Sequence, residues 1–274
     1  MSKTILITGS TDGLGKEVAR RLAVKGWKVL LHGRNPDKGA AVLAELREQT
    51  GNDSLAYFNA DLASLADVRQ LAGDVLANVD RLDILVNNAG IGPRHPDSPR
   101  TLSADGYEIF FAVNYLAGYL LARELLPLLR KSAPARIINV ASLAQAPVRF
   151  EDVMLEHDYS DGLAYRQSKL AQIIHANDLA SQLEGCGVTA NSLHPATLMN
   201  TKMVLDSTVL PQSMTTVDDG ANALEHLITA SELNGVSGVY FDMQEQARAE
   251  DQAYDESAQA RLRELSEKLV ADSL

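Results

Sequence analysis

Lys3-Thr4-Ile5-Leu6-Ile7-Thr8 runs directly into Gly9-Ser10-Thr11-Asp12-Gly13-Leu14-Gly15, and an amphipathic helix is predicted to begin near Lys16. A short apolar strand that turns through three glycines into a helix is a phosphate-binding turn. Glycine lets the backbone reverse tightly and approach a pyrophosphate, while the helix start aims unpaired N–H groups and a positive dipole end at the anion. The spacing is Gly-x-x-x-Gly-x-Gly preceded by threonine, so the general Gly-x-Gly-x-x-Gly pattern is missed although the mechanics are shared. The implied ligand is a nucleotide, held by Gly9, Ser10, Thr11, Asp12, Gly13, Leu14 and Gly15.

Beyond this unit, strand and helix patterns alternate as in a parallel sheet covered on both faces. Strands are predicted over 28–33, 54–59, 81–87, 136–141, 188–193 and 238–242, and helices over 36–49, 64–78, 103–131 and 164–183. A Pro-rich loop spans 92–99, and a loop and helix fill 196–230. The expected fold class is α/β, a doubly wound, seven-stranded parallel sheet in one domain spanning 1–274. In its tail, 254–274, Leu262, Leu265 and Leu269 share one helical face, which predicts a helix that packs back onto the body.

A chain of 274 residues with 46% hydrophobic content can bury the core of one large domain. Its formal net charge of -11 argues against nucleic acid or an anionic membrane as partner. No run approaches the ~18 apolar residues of a membrane span, and a first strand at Lys3 leaves no room for a signal peptide, so a cytoplasmic location is expected. Cys186 is the only cysteine, which excludes an internal disulfide. Glu156-His157-Asp158 is not read as a metal site, because three consecutive side chains do not converge on one ion from a regular element.

Four residues carry the chemistry: Asn114 in the long helical region, Ser142 after the fifth strand, and Tyr165 and Lys169 one turn apart on a predicted helix. A phenol titrates near ~10, too high for ready proton exchange, and a neighbouring ammonium stabilises its phenolate. Lys169 supplies that ammonium. Tyr165 then gives a proton to a carbonyl oxygen, or takes one from an alcohol, while Ser142 holds the same oxygen. Each residue alone is ordinary, since serines cap helices and Tyr–Lys pairs are common. With the glycine turn and the strand end Asn87-Asn88-Ala89-Gly90, they indicate a carbonyl oxidoreductase.

On these residues the chain resembles the short-chain dehydrogenase/reductase family over nearly its whole length. Thr8-Gly9-x-x-x-Gly13-x-Gly15, Asn87-Asn88-Ala89-Gly90, Asn114, Ser142 and Tyr165-x-x-x-Lys169 match the family pattern. The resemblance implies a Rossmann fold and a nicotinamide cofactor. It further implies that Lys169 binds the nicotinamide ribose, that Asn114 supports a water-mediated proton relay, and that Asp61 contacts adenine. Leu62, Asn88, Ala89, Gly90, Tyr165, Pro195 and Thr197 complete the implied cofactor contacts.

The long interval 144–162 between serine and tyrosine, the run 132–136 and the strand around Tyr240 resemble the retinol-dehydrogenase-like branch, whose substrates are apolar aldehydes, ketones or alcohols. The interval itself reads as a lid or as a surface excursion. Oligomerisation, as a homodimer or homotetramer, is implied through the long helix and the Tyr165 helix. A nucleotide sensor without turnover on the same fold is the alternative reading, and the intact tetrad speaks against it.

The residue ending the second strand selects the cofactor, because an acid there accepts from a ribose 2'-hydroxyl whereas arginine suits a 2'-phosphate. The strand ends Leu31-His32-Gly33-Arg34-Asn35, with Arg34 placed to clamp phosphate and Gly33 expected to leave it space. NADP(H) is therefore expected over NAD(H), although Asp12 stands where some NADP-preferring relatives carry a basic residue. Finally, 196–214 contains Leu198, Met199, Met203, Val204, Leu205, Val209, Leu210 and Met214, an apolar stretch suited to covering a small apolar substrate or to packing elsewhere.

Overall fold

The computed structural model describes residues 2–95 and 98–271. Positions 96–97 of the Pro-rich loop and 272–274 of the tail lie outside the described residues. Eight strands form one sheet in the order β3-β2-β1-β4-β5-β6-β7-β8. They are β1 Thr4–Ile7, β2 Lys28–Gly33, β3 Leu55–Asn59, β4 Ile84–Asn87, β5 Ala135–Val140, β6 Val188–His194, β7 Tyr240–Asp242 and β8 Glu245–Ala247. The first seven pair in parallel, and β8 turns back antiparallel on β7. The seven-strand expectation missed this edge strand. Its three residues Glu245-Gln246-Ala247 are mostly exposed and carry no apolar alternation.

Strand side chains alternate between two cores, as the two-residue period of a strand requires. Ile5, Ile7, Val29, Leu31, Ile84 and Val86 face one side, where α1 Gly13–Val24, α2 Pro36–Thr50 and α7 Val217–Thr229 supply Val18, Leu22, Leu46 and Leu224. Leu6, Leu30, Leu85 and Ile137 face the other, covered by α3 Leu65–Asn78, α4 Ala117–Lys131 and α5 Asp161–Gln182. Burial on both faces is why these strands read as continuous apolar runs.

The long helical region begins later than expected. Residues 103–107 close a small loop instead, with the Ser103 N–H donating to Tyr107 O at 2.7 Å and Leu102 bridging Glu108. The buried Glu108 carboxylate then accepts the N–H groups of Phe110 (3.0 Å) and Phe111 (2.8 Å), satisfying the orphan donors of a helix start. A π-helical segment, Phe111–Leu116, follows and leads into α4. The strong helical periodicity of the region hid this cap.

The last helix, α8 Glu256–Ala271, returns to the body as its apolar face predicts, burying Leu262 and Val270 in the core shared with α5. Tyr115 and Ser266 hydroxyls meet at 2.7 Å, and the Tyr107 hydroxyl donates to Leu269 O. α8 thereby covers part of the α5 surface that the sequence offered to a second copy. The short α6, Lys202–Leu205, lies between β6 and α7. Among the described residues no helix is long and apolar enough to cross a membrane.

Two glycines in helices test the packing in opposite directions. A β-carbon on Gly39 would fall inside the Tyr57 ring, whereas one on the exposed Gly73 meets nothing within 4 Å. Gly39→Ala should cost ~1–3 kcal/mol by overpacking, and Gly73→Ala should add ~0.5–1 kcal/mol by helix propensity. Thermal unfolding of both variants checks this, and a stable Gly39→Ala would show that α2 can shift away from β3.

Candidate active site

Strand order reverses between β1 and β4, and in a sheet of this kind the crevice at that point is where ligands bind. Thr8 and Asn88 join its two lips. The Thr8 Oγ1 accepts the N–H of Asn88 (2.9 Å) and of Ala89 (3.0 Å), while Asn88 Nδ2 donates to Thr8 O (2.7 Å) and Gly9 O (3.2 Å). Asn88 thus braces the glycine turn. Gly9 has φ +64°, and a β-carbon there would lie 2.8 Å from Ala89 Cα. One on Gly15 would lie 2.5 Å from Gly9 O. Both positions therefore exclude a side chain.

The rest of the turn is divided between bracing and presentation. Ser10 is fully buried and looks inward, its Oγ accepting the His32 N–H at 2.9 Å. Asp12 caps α1 through the Gly13 N–H, and Leu14 is buried in the core. Thr11 stands against Gly33, its Oγ1 only 2.9 Å from where a β-carbon would be. The space expected at Gly33 for a phosphate is thus taken by Thr11. Arg34 is exposed, and its guanidinium makes no hydrogen bond or ion pair among the described residues.

The sequence reading assigned no role to His32, which the structure places under the turn. Its Nδ1 accepts the Gly9 N–H at 3.1 Å, so the ring proton belongs on Nε2, 3.2 Å from Ala60 O. Burial pushes its imidazolium down to about 4 against the help of the Ala60 carbonyl. The ring stays neutral near pH 7 and ties the glycine turn to the exit of β3. There Asp61 accepts the Ala63 N–H at 3.0 Å and shapes the turn that carries Leu62. A histidine at a strand end carries no sequence signal for such a role.

The crevice brings apolar and polar groups together in the way a nucleotide site requires. It is lined by Thr8, Leu62, Ala89 and Val113, and the Asn87 Oδ1 beside it is buried without a hydrogen-bond partner. Farther along the sheet, Pro195 is buried after β6, and Thr197 Oγ1 lies 3.1 Å from His194 Nε2. The carboxyl ends of β4, β5 and β6 carry Gly90, Ser142 and this pair on one edge.

The four expected catalytic residues converge on that edge. Asn114 lies in the π-helical segment, a frequent device where a side chain must be re-aimed. Its Oδ1 accepts the Ile91 N–H (2.8 Å), and its Nδ2 donates to Ile91 O (3.1 Å) and Ser168 Oγ (3.0 Å). Gly90 borders both Asn114 and Lys169, its absent β-carbon falling 3.2 Å from Asn114 Oδ1 and 3.6 Å from Lys169 Nζ. Ser160 caps α5, which lifts Tyr165 and Lys169 onto one face, and the Ser142 side chain lies close enough to the Tyr165 phenol to oppose its upward shift. The Tyr240 hydroxyl donates to Ser142 O at 3.1 Å and fixes the serine's backbone.

Electrostatics correct one expectation. Burial raises the Tyr165 phenol above its usual value, opposed by the Ser142 hydrogen bond. Burial likewise brings the Lys169 ammonium down to about 7. Its Nζ lies 5.6 Å from the Tyr165 ring centre and donates to Val140 O (2.8 Å) and Gln172 Oε1 (3.0 Å). Desolvation, rather than the lowering expected from Lys169, sets the direction of the phenol's shift. Gln172, one turn beyond Lys169, was not anticipated, because a helical glutamine is ordinarily a surface residue.

The comparisons agree with this geometry. The short chain dehydrogenase family model matches residues 3–208. The chain belongs to the short-chain dehydrogenase family. It is 35% identical to retinol dehydrogenase 13 of Homo sapiens, over 98% of this chain and 84% of that protein. It is 36% identical to human retinol dehydrogenase 12, over 87% of this chain and 77% of that protein. These relatives bear out the retinol-dehydrogenase-like branch. Among solved structures, a Mycobacterium paratuberculosis protein superposes with a TM-score of 0.79 at 28% identity, covering 98% of this chain and 93% of that one. A short chain dehydrogenase from Escherichia coli CFT073 complexed with NADPH has a TM-score of 0.72 at 27% identity, covering 89% and 97%. A 3-ketoacyl-(acyl-carrier-protein) reductase from Brucella melitensis complexed with NADH has a TM-score of 0.70 at 25% identity, covering 88% and 96%.

The interval between Ser142 and Tyr165 is built into the body of this family member. Val148, Val153 and Leu155 are buried, and Gln167 of α5 holds it by donating to Val153 O (2.8 Å) and accepting the Arg149 N–H (2.9 Å). It forms a wall of the site, with Leu155 packed against Phe110 and Ala164 beside Tyr165. The apolar stretch after β6 divides. Met199 packs on the α7 side and Met203 on Gly92, whereas Leu205, Val209 and Met214 stay exposed. Ser207 Oγ donates to Pro93 O (2.7 Å) and the Thr208 N–H to Arg94 O (2.8 Å), closing one end of the cleft.

The depressed Lys169 ammonium has a stability consequence. Its folded value of about 7 lies below the ordinary lysine value of 10.5, so the charged form is penalised in the fold. The penalty is complete below pH ~7 and is relieved as pH rises toward the unfolded value. Lys169→Met should therefore gain stability relative to wild type most strongly at pH 6, and the gap should narrow by pH 10. Denaturant titrations at the two pH values check the sign, and a gap that widens with pH would refute it.

Proposed function

We propose that the chain is an NADP(H)-dependent oxidoreductase that interconverts a carbonyl and an alcohol on a small to medium apolar molecule, with Tyr165 as general acid/base. The observation that carries this reading is the meeting of Tyr165, Ser142, Lys169 and Asn114 beside the glycine cradle. A bound nicotinamide supplies or accepts the hydride. In the reducing direction, Tyr165 Oη delivers its proton to the carbonyl oxygen as hydride reaches carbon. Ser142 Oγ donates to the same oxygen and keeps it at the phenol. Lys169 would hold the ribose of a bound nicotinamide cofactor and, once protonated, would stabilise the phenolate that Tyr165 becomes. Asn114, held by three hydrogen bonds, keeps the helix open at its π-helical segment so that Lys169 can exchange protons through water.

The preference for NADP(H) rests on Arg34, which follows β2 with no acid beside it and whose guanidinium has no partner among the described residues. Structural neighbours bind NADPH and NADH, so the fold by itself does not select. Apolar substrates are supported by Leu155 and Phe110 around Tyr165 and by the exposed Leu205, Val209 and Met214 in the segment after β6. The retinol dehydrogenase relatives make all-trans-retinal a sensible first probe.

NADPH consumption with a panel of apolar aldehydes and ketones, all-trans-retinal included, tests this. Tyr165→Phe should lower kcat by at least ~100-fold while NADPH binding persists. Tight NADPH binding without turnover on the whole panel would favour a nucleotide sensor. Arg34→Ala should raise the Michaelis constant for NADPH about tenfold or more and that for NADH little. Equal small changes would refute the cofactor assignment.

A further inference from the structure

Asp12 is the one feature of the glycine turn that speaks against a phosphorylated ribose, because it puts a carboxylate at the corner where a basic residue was sought. The structure shows what that carboxylate does. Its Oδ1 accepts the Gly13 N–H at 2.9 Å, and its Oδ2 receives two ammonium groups, Lys38 Nζ at 2.6 Å and Lys202 Nζ at 3.5 Å. Lys38 belongs to the first turn of α2 and Lys202 opens α6, so residues distant in sequence bring two positive charges to one negative one. The corner is net positive. Lys16, also nearby in sequence, is engaged elsewhere by Glu45 at 2.7 Å.

Arg34 shares this corner. Thr11, adjacent to Asp12, packs against Gly33, and the Tyr57 hydroxyl lies 2.8 Å from Gly33 O and 3.0 Å from Asn35 O. That pins the segment carrying Arg34. Asn35 in turn caps α2 by accepting the Lys38 N–H at 2.9 Å, which sets Lys38 in the first helical turn just beyond the loop that carries Arg34. Arg34, Lys38 and Lys202 therefore surround the end of the glycine turn from three elements. The three lysine and aspartate side chains are 40%, 72% and 48% exposed, and ion pairs this exposed are weak and easily exchanged.

We propose that Lys38 and Lys202 are specificity-determining residues for a phosphate monoester on the cofactor's adenosine ribose, and that Asp12 holds them in place until that phosphate arrives. This rests on the NADP(H) reading above. A phosphate monoester carries close to two negative charges and three acceptor oxygens at pH 7, so it outbids a single carboxylate for both ammonium groups. Asp12 keeps its role as the α1 cap throughout, because that uses its other oxygen. Discrimination between the two nicotinamide cofactors is thus spread over Arg34, Lys38 and Lys202 rather than resting on the strand-end arginine.

Calorimetric titration of the full chain with adenosine 2',5'-bisphosphate and with adenosine 5'-monophosphate separates this inference from its premise. Wild type should bind the bisphosphate more tightly, and equal affinities would sink the NADP(H) reading itself. Lys38→Met should weaken the bisphosphate about tenfold, and the more exposed Lys202→Met about threefold. Each should leave the monophosphate within about twofold. Wild-type affinity for the bisphosphate in both variants, with the wild-type preference intact, would overturn the assignment and leave Arg34 alone as the determinant. Equal losses for both nucleotides would overturn it too, by making the lysines general supports of the turn.

Discussion

The hydrogen-bonded splice between Thr8 and Asn88 is the constraint on which the site depends. A threonine hydroxyl has one proton and two lone pairs, and all are used: it donates to Val86 O and accepts from the Asn88 and Ala89 N–H groups. The ends of β1 and β4 are locked at the point where the sheet reverses order. On one side the lock sets the glycine turn, reinforced by His32 from β2. On the other it sets Gly90 and Ile91, from which hydrogen bonds run through Asn114 to Ser168, the neighbour of Lys169. The glycine turn and α5 are thereby registered to each other through a chain of largely buried, satisfied polar groups, where a missing partner costs more than an average hydrogen bond yields.

Burial is the second theme, and it opposes the proposed proton transfer. A phenol and an ammonium removed from water both favour their neutral forms, which is the reverse of the phenolate–ammonium pair that proton transfer needs. The protein offsets this with hydrogen bonds rather than counter-charges. Ser142 serves the phenol, while Val140 O and Gln172 Oε1 serve the ammonium. A lysine near neutrality is able to pass a proton in either direction, a useful property in a reversible acid–base relay.

Much of this was legible in the chain because it is local. The glycine turn, the Asn87–Gly90 strand end and the Tyr165–Lys169 spacing are each dictated by one backbone conformation or one helical turn. The strands were legible too, since burial on both faces leaves apolar runs flanked by breakers. The small edge strand β8 and the true helix start after Glu108 were not. One lacks side-chain alternation, and the other depends on a buried carboxylate whose burial is a property of the folded molecule.

The sequence by itself determined the doubly wound architecture and pointed to the four residues that meet at the candidate site, because periodicity and turn stereochemistry are short-range and survive in one dimension. The tertiary structure alone decided that Thr11 fills the gap at Gly33, that His32 props the turn, that Gln172 holds Lys169, that α8 covers α5, and that Asp12 gathers Lys38 and Lys202. These are contacts between residues far apart in the chain. Their energies come from desolvation and from distances of a few ångströms, and neither exists until the sheet and its helices have brought the side chains together.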